Sequence, residues 1–286
     1  MSDRREFLRY LAGLTASMVV PATSKGSPVV RSDQLGPLLP QRLLGRTGEQ
    51  VTMLGLGGWH LGGMSEPEAI KTLEVALEGG VRFFDTAESY QSGGSESRIG
   101  KLLVPKYRDK VFLMTKSTAT TAKLVRKHLE DSLRRLNTDY LDLWQVHSVR
   151  SPDDVDDRVA NQVFEVMQEA KSSGKTRYIG FTGHMNPQAH ARVLERSDIF
   201  ETCQMPINLA DPTYNSFIKN ILPQLVDRNI GVIAMKTLAN GGFFGGSSQG
   251  NHGDKPKIIP DLVSIREALH FVWSLPVSVL VTGPDN

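Results

Sequence analysis

Short apolar runs alternate with amphipathic stretches along the chain from Gln41 onward. Runs of four to six residues predict eight β-strands: Thr52–Leu56, Arg82–Asp85, Val111–Lys116, Leu141–Val146, Arg177–Phe181, Thr202–Met205, Gly231–Met235 and Ser278–Thr282. The stretches between them predict helices over Pro67–Glu78, Ser95–Leu103, Ala122–Leu136, Asn161–Ser173, Pro187–Arg196, Ser216–Arg228 and Ser264–Trp273. Strands that alternate with helices in this way predict a parallel sheet.

This order of elements predicts the α/β class and, with eight units, a closed (β/α)8 TIM barrel. The alternative is a doubly wound open sheet. That fold would favour a G-x-G-x-x-G turn after the first strand, and Gly55-Leu56-Gly57-Gly58 lacks its third glycine. Turn residues in Arg42–Gly48 predict a hairpin that caps the bottom of the barrel. The last predicted strand ends at Thr282, so we expect a barrel without its last helix.

The first residues have the pattern of an export signal rather than of a folded element. A charged start that contains Arg4 and Arg5, followed by Phe7 and Leu8, resembles the twin-arginine motif, and a moderately apolar stretch follows over Tyr10–Ala22. We therefore expect residues 1–30 to be a signal peptide and linker and residues 31–286 to be the barrel. Residues 23–40, rich in Pro, Ser and Gly, have linker composition. A disordered basic tail or an uncleaved membrane anchor is the alternative.

This signal implies a partner and a location. The partner would be the twin-arginine export machinery, and the location would be the bacterial periplasm, or the cytoplasm if the signal is not used. The apolar stretch is short and broken, so no stable membrane insertion is expected.

Composition narrows the function classes. The chain has 40% apolar and 22% charged residues, a formal net charge of +2 and no long basic run, which argues against nucleic-acid binding. The single cysteine, Cys203, excludes an intramolecular disulfide. No metal site is expected, because no spacing of metal ligands appears around His60, His128, His190, His252 and His270.

Titratable side chains follow three consecutive predicted strands at the end where barrel enzymes place their chemistry. Asp85 ends the second strand, Tyr90 lies five residues later, Lys116 ends the third strand and His147 follows the fourth. Each of these residues has an ordinary structural explanation, such as a helix cap or a solvated charge. Their joint placement at one rim favours a catalytic site.

The four residue types form a coherent acid–base set. A phenol ionises near pH 10, and a nearby lysine cation stabilises the phenolate and lowers that pKa. A carboxylate keeps the lysine charged, and a neutral histidine can orient a carbonyl oxygen. No residue in the set supplies a hydride, so a cofactor is required for redox chemistry.

Several motifs around these residues resemble the aldo-keto reductase family. They are Phe83-Phe84-Asp85-Thr86-Ala87-Glu88-Ser89-Tyr90, Gly94-Ser95-Glu96, Ile99-Gly100, Met114-Thr115-Lys116, Ser132-Leu133-Arg134-Arg135-Leu136, Asp139-Tyr140-Leu141-Asp142-Leu143, and Arg177-Tyr178-Ile179-Gly180. The likeness covers about residues 41–286. It implies that Tyr90 is the proton donor, that Lys116 and Asp85 support it, and that His147 orients the substrate.

The same resemblance implies a nicotinamide cofactor, NADP with NAD as the alternative, and a small carbonyl or alcohol substrate. Gln204, Asn208 and Thr182 match positions around the nicotinamide amide, and Gly183 and then His184 stand where the family often has Asn. Met235 stands where the family usually has an aromatic residue, and Lys236 with Leu238–Gly242 would form the pyrophosphate loop. The remaining residues assigned to the cofactor are Gly57, Gly58, Trp59, Gly241 and Gly283.

The resulting expectation is an oxidoreductase that reduces aldehydes or ketones reversibly with NAD(P)H. Two alternatives stay open: a cofactor-sensing or structural barrel with little turnover, and a truncated, inactive product. Trp59 and Trp144 are candidates for the wall of the substrate pocket, although Trp144 also suits the core.

Overall fold

A computed structural model describes residues 31–239 and 263–283. The chain divides into two units, residues 1–30 and residues 31–286. The predicted signal peptide and linker of residues 1–30, and the predicted cofactor residue Gly241, lie outside the described residues. So does any element that would follow the last strand.

Eight parallel strands form a closed barrel. Four short strands precede them: β1 Ser32–Asp33, β2 Gly36–Pro37, β3 Gln41–Leu43 and β4 Gln50–Thr52. The barrel strands are β5 Leu54–Gly57, β6 Phe83–Asp85, β7 Phe112–Ser117, β8 Leu141–Val146, β9 Thr176–Thr182, β10 Thr202–Pro206, β11 Gly231–Met235 and β12 Val279–Thr282. Strand β12 pairs with β5 and closes the ring, so the predicted (β/α)8 barrel is confirmed and the open sheet is excluded.

Helices follow the barrel strands. They are α1 Glu66–Glu78, α2 Gly94–Leu102, α3 Val104–Tyr107, α4 Ala122–Leu136, α5 Pro152–Ala160, α6 Val163–Ser172, α7 Pro187–Arg196, α8 Phe217–Asn220, α9 Leu222–Asp227 and α10 Ile265–Trp273. Short 3-10 turns occur at Gly45–Thr47, Tyr90–Gly93, Arg108–Lys110 and Asp211–Thr213. Over the described ranges, no helix combines the length and the apolarity that a membrane crossing requires.

The hairpin of β3 and β4 closes the bottom of the barrel, as the turn residues predict. Its strands pair antiparallel, and Leu44 joins Val51, Phe83 and Phe112 in one buried apolar cluster. The Arg46 amide donates to the Asn229 carbonyl at 2.7 Å, two residues before β11 begins. The hairpin therefore covers the bottom of the barrel, and the opposite rim is the one where barrel enzymes place their chemistry.

The predicted first strand, Thr52–Leu56, is wrong in its bounds. Its residues belong to two different strands, the hairpin strand β4 and the barrel strand β5, with Met53 between them. The Met53 amide donates to Pro40 in the hairpin at 2.8 Å, and its carbonyl accepts from Leu280 in β12 at 2.9 Å. The apolar run continues through Met53 from β4 into β5. The pattern of hydrophobic residues therefore does not show where one strand ends and the next begins.

Two predicted helices are also corrected. The predicted helix Asn161–Ser173 corresponds to α6, and the helix before it, α5, was missed. Helix α5 begins at Pro152, and the side chain of the preceding Ser151 accepts from the Asp154 amide. Ser216–Arg228 is divided into α8 and α9, because Pro223 in the first turn of α9 has no amide proton to continue the first helix.

Residues 31–40 are not a plain linker, in contrast to their composition. Strands β1 and β2 form a small hairpin, and Asp33 accepts two hydrogen bonds, at 2.8 and 2.9 Å, from the Arg82 guanidinium. Arg82 is buried immediately before β6 and also donates to the carbonyls of Leu77 and Val81. The segment is thereby attached to the barrel.

A buried ion pair fixes the helix that follows the candidate proton donor. Glu96 of α2 is fully buried, accepts from Thr115 of β7 at 2.6 Å, and pairs with Arg135 of α4 at 2.6 Å. These contacts hold α2, and with it the turn that carries Tyr90, against the neighbouring strand and helix.

The substitution Arg135→Leu should lower the free energy of unfolding by about 3 kcal/mol, because it leaves the Glu96 carboxylate buried without its cation. Urea unfolding measures the change. Arg134→Leu is the matched control: Arg134 is 71% exposed, pairs with Asp131 on the surface, and should cost less than about 1 kcal/mol. Equal losses in the two variants would argue against this role of the pair.

Candidate active site

Three of the four predicted catalytic residues touch one another at the upper rim of the barrel. The Lys116 ammonium forms an ion pair with Asp85 and donates to the Thr86 carbonyl at 2.8 Å and to the Tyr90 hydroxyl at 3.2 Å. Lys116 and Asp85 are 1% and 3% exposed. The lysine therefore joins a buried carboxylate to a phenol.

The ends of two neighbouring strands place these groups. Asp85 is the last residue of β6 and Lys116 is the penultimate residue of β7, so both stand at carboxyl ends of neighbouring strands. The loop after β6 continues along β7, since Thr86 donates to the Met114 carbonyl at 3.0 Å. Glu88 then accepts from the Thr118 amide at 2.8 Å. Tyr90 begins the next turn, above Lys116.

His147 completes the predicted set. It follows β8, and its amide donates to the Ser117 carbonyl at 2.8 Å. Its ring centroid lies 5.9 Å from that of Tyr90, at an interplanar angle of 75°. Burial, followed by the Lys116 cation, holds the pKa of His147 well below its ordinary value of 6.5. His147 is therefore neutral near pH 7 and can orient an oxygen without adding charge.

The ionisation of Tyr90 differs from the sequence-based expectation. Burial raises the pKa of Tyr90, and the Lys116 cation lowers it by less, so the pKa lies above 10.0. Burial alone lowers the pKa of Lys116, but Asp85 and Tyr90 outweigh it and raise that pKa. The site thus holds a protonated phenol beside a charged lysine, which is the state that a proton donor requires.

Two predicted cofactor residues lie side by side with unpaired polar atoms. Gln204 of β10 is the register partner of Thr182 at the end of β9. Gln204 donates to Asp85 at 3.1 Å through its amide nitrogen, while its Oε1 and the Thr182 Oγ1 are buried without a hydrogen-bond partner. Buried polar atoms of this kind normally have partners. They fit the amide group of a nicotinamide ring.

The predicted residues on the other side of the rim also cluster. Gly58 donates its amide proton to the Asp85 carbonyl at 2.6 Å, and a Cβ on Gly57 would lie 3.2 Å from the Gly283 nitrogen. Trp59 is 44% exposed, and its ring stands edge-on to Tyr90 with 5.0 Å between centroids. Trp144, in contrast, is fully buried and belongs to the core.

The predicted phosphate loop begins at the end of β11. Met235 ends this strand and is nearly buried, whereas Lys236 and Leu238 are half-buried. Lys236 has a positive φ of 55°, and its carbonyl accepts from the Asn208 side chain at 3.4 Å. Burial lowers the pKa of the Lys236 ammonium. The described part of this loop brings a partly buried lysine and Asn208 together.

Two further residues at this rim are not among the predicted site residues. Ser89 lies 3.5 Å from the His147 Nδ1 through its hydroxyl. The His184 ring lies 5.9 Å from the His147 ring, and its Nδ1 is buried without a partner. The sequence signal for Ser89 at this rim is its position one residue before Tyr90. The sequence signal for His184 is its position two residues after the end of β9.

A charged cavity lies at the opposite end of the barrel and has no comparable chemistry. Its cations are paired: Arg108 and Arg177 each contact Asp142 at 2.8 Å, and Arg82 pairs with Asp33. These arginine–aspartate ion pairs hold the elements at the bottom of the barrel together, and each cation has a carboxylate partner. The unpaired buried polar atoms described above lie instead around Lys116.

Comparisons with known proteins agree with this geometry. The model of the Aldo/keto reductase family matches residues 53–274, which include all four predicted catalytic residues. The chain belongs to the aldo/keto reductase family, whose members are oxidoreductases.

Individual relatives are similar over part of their length. Aldo-keto reductase YhdN of Bacillus subtilis (strain 168) is 33% identical over 217 residues, which is 68% of this chain and 61% of that protein. L-galactose dehydrogenase of Arabidopsis thaliana is 31% identical over 220 residues, which is 70% of this chain and 66% of that protein. The match thus spans less than two thirds of either relative.

Solved structures show the same barrel. Aldo-keto reductase AKR11C1 from Bacillus halodurans (holo form) superposes with a TM-score of 0.71 at 24% identity, over 87% of both chains. An aldo/keto reductase from Klebsiella pneumoniae in complex with NADP and acetate gives a TM-score of 0.61 at 26% identity, over 73% of this chain and 74% of that one.

Proposed function

We propose that the protein reduces aldehydes or ketones to alcohols, reversibly, with a reduced nicotinamide cofactor and with Tyr90 as the proton donor. The observation that carries this proposal is the Lys116 ammonium, which is buried between the Asp85 carboxylate and the Tyr90 hydroxyl. A charged lysine aimed at a protonated phenol, at the open rim of a barrel, is suited to proton delivery.

In the reducing direction, His147 and Tyr90 hold the carbonyl oxygen of the substrate between them. A nicotinamide cofactor held at this rim would supply the hydride that the carbonyl carbon needs. The Tyr90 hydroxyl gives its proton to the oxygen on which negative charge develops, and Lys116 stabilises the phenolate that remains. Asp85 keeps Lys116 charged and in place, and Gln204 holds the second oxygen of that carboxylate. Solvent then returns a proton to Tyr90.

The cofactor is NADP in this proposal, with NAD as the alternative. The Klebsiella pneumoniae relative was crystallised with NADP, and the unpaired atoms of Thr182 and Gln204 suit the nicotinamide amide. The half-buried Lys236 and Leu238 begin the loop that would lie near the phosphates, and Asn208 contacts the Lys236 carbonyl. On the other side, Gly57 lies close to Gly283, and Gly58 precedes Trp59, so these positions would let the cofactor approach the backbone. Met235 stands where the family usually has an aromatic residue.

A titration of the full chain with NADPH and then NADH, followed by cofactor fluorescence, tests the proposal. Saturable binding and consumption of the reduced cofactor with a panel of small aldehydes, ketones and sugars is the expected result. Binding without turnover across the panel would favour the cofactor-sensing barrel. No binding of either cofactor by the folded protein would overturn the enzyme proposal.

The activity should depend little on pH over a wide window. His147 loses its neutral form only when the pH falls well below 6.5, because its pKa is lowered. Tyr90 loses its proton only when the pH rises above 10.0, because its pKa is raised. We therefore expect kcat/KM for reduction to be level between these values, with an acidic limb below and an alkaline limb above. A pH–rate profile with an inflection inside the window would contradict this assignment.

We further propose that residues 1–30 direct export through the twin-arginine machinery to the periplasm. The support is the order of Arg4, Arg5, Phe7 and Leu8 before an apolar stretch. The full chain, expressed in a bacterium with this export system, should appear shortened in the periplasmic fraction. A variant with Arg4→Lys and Arg5→Lys should stay in the cytoplasm. Equal periplasmic amounts of both would argue against the signal, and cytoplasmic location of both would favour the tail interpretation.

A further inference from the structure

Within the described part of the chain, the side chain of His147 has one hydrogen-bond partner, the hydroxyl of Ser89. The Ser89 Oγ lies 3.5 Å from the His147 Nδ1. The other ring nitrogen, Nε2, has no hydrogen-bond partner among the described residues. The protein therefore engages one nitrogen of the ring and leaves the other for a ligand at the rim.

The turn that carries Tyr90 also holds Ser89 in place. The preceding residue, Glu88, is 8% exposed, and its side chain accepts a hydrogen bond from the Thr118 amide at 2.8 Å. The Ser89 carbonyl accepts from the Ser92 amide at 3.3 Å. With its main chain fixed on both sides, Ser89 presents its hydroxyl to the histidine ring from the same turn that presents the phenol.

The position of the single ring proton decides what the open nitrogen of His147 can do. With the proton on Nε2, that nitrogen donates to a carbonyl oxygen, whereas with the proton on Nδ1 the open Nε2 can only accept. Burial, followed by the Lys116 cation, holds the pKa of His147 well below 6.5, so the neutral ring is present near pH 7. In a neutral imidazole, the hydrogen bond made by one nitrogen sets the protonation of the other.

Two aromatic neighbours border the His147 ring without setting this tautomer. The ring centroids of Tyr90 and His184 each lie 5.9 Å from that of His147. The Tyr90 hydroxyl accepts from Lys116 at 3.2 Å, and the His184 Nδ1 is buried without a partner. Neither ring is a hydrogen-bond partner of His147 in the described structure, so Ser89 is the described residue that can fix the place of the ring proton.

We propose that Ser89 is a positioning residue whose hydroxyl donates to the His147 Nδ1 and thereby keeps the ring proton on Nε2, facing the carbonyl oxygen of the substrate. This role rests on the proposed function, because reduction requires a donor beside that oxygen. Ser89 is exposed, so its hydroxyl can donate to the ring while its oxygen accepts from water. One turn then controls both donors to the carbonyl oxygen, the Tyr90 hydroxyl directly and the His147 Nε2–H through Ser89.

The first test detects the tautomer of His147 by NMR of the full chain with isotope-labelled histidine ring nitrogens, and it requires neither cofactor nor substrate. Protonated and unprotonated ring nitrogens differ widely in chemical shift, and the signals lost in His147→Gln identify the two of this ring. Wild type should carry the proton on Nε2. Ser89→Ala should give the intermediate shifts of a tautomer mixture, and Ser89→Thr, which keeps a hydroxyl, should restore the wild-type shifts. Ser92→Ala, exposed in the same turn, is the matched control and should leave them unchanged.

Steady-state kinetics of the same variants give the second readout. Ser89→Ala should lower kcat for carbonyl reduction about threefold to tenfold, the size expected for one neutral hydrogen bond, with an unchanged Kd for the reduced cofactor. Ser89→Thr should recover most of the rate, and Ser92→Ala should react as wild type does. A merely structural role of Ser89 would not move the tautomer together with kcat.

The outcomes distinguish failure of this role from failure of the proposed function. A wild-type proton on Nδ1, or the same tautomer in wild type and Ser89→Ala, would overturn the role of Ser89 whatever the activity. A changed tautomer with an unchanged kcat would refute its importance for reduction. A wild-type protein that binds no nicotinamide cofactor would overturn the proposed function, and the NMR result would still decide whether Ser89 sets the tautomer. If Ser89→Ala does not fold, Ser89→Cys, with its weaker donor, replaces it and should give shifts between those of wild type and a mixture.

Discussion

The substitution Tyr90→Phe should lower kcat/KM for carbonyl reduction by about 10²–10⁴-fold, the usual contribution of a positioned general acid. It should leave the Kd of the reduced cofactor nearly unchanged. The substitution removes the hydroxyl that lies 3.2 Å from Lys116 and keeps the ring that stands edge-on to Trp59. Without that hydroxyl, no group of the described rim combines a proton with contact to the buried lysine.

The measurement is steady-state reduction of a substrate found in the panel, alongside a cofactor titration of the same preparation. Tyr214→Phe is the matched control, since Tyr214 is 85% exposed and loses the same hydroxyl away from Lys116. A Tyr90→Phe variant with turnover within a few-fold of wild type would exclude Tyr90 as the donor. Loss of cofactor binding together with turnover would indicate a structural role for the phenol instead.

The placement of the candidate catalytic residues was predictable because it depends on strand ends. Asp85, Lys116 and His147 end or follow buried apolar runs that hydrophobicity marks clearly, and parallel strands in a barrel bring their carboxyl ends to one rim. Tyr90 is tied to that rim because the amides of Thr86 and Glu88 donate to carbonyls of β7. Neither step requires knowledge of side-chain packing.

Other features could not be predicted because they depend on distant parts of the chain. Met53 changes strands without a break in apolar character, and Asp33 meets Arg82 from a segment with linker composition. The absence of a partner for the buried His184 Nδ1 depends on the packing of the described residues around it. The raised pKa of Tyr90 depends on burial that outweighs Lys116, and no spacing of residues reveals that balance.

A substitution of Lys116 should have a large effect on both the reaction rate and the stability of the fold. Lys116→Met should lower kcat/KM by about 10²–10³-fold, since the developing phenolate loses the cation that stabilises it. It should also lower the free energy of unfolding by about 3–5 kcal/mol, because Asp85, which is 3% exposed, is left buried without a counter-ion. Initial rates and urea unfolding of the same variant measure the two effects.

Adding Asp85→Asn to Lys116→Met separates the two effects. The double variant has neither charge of this ion pair, and replacement of a buried ion pair by uncharged groups of similar volume is often neutral for stability. Its free energy of unfolding should therefore return most of the way to the wild-type value. Its activity should stay as low as that of Lys116→Met, because the phenolate still lacks a cation. Recovered activity in the stable double variant would mean that Lys116 acts by holding the fold, and that the proton transfer from Tyr90 proceeds without it.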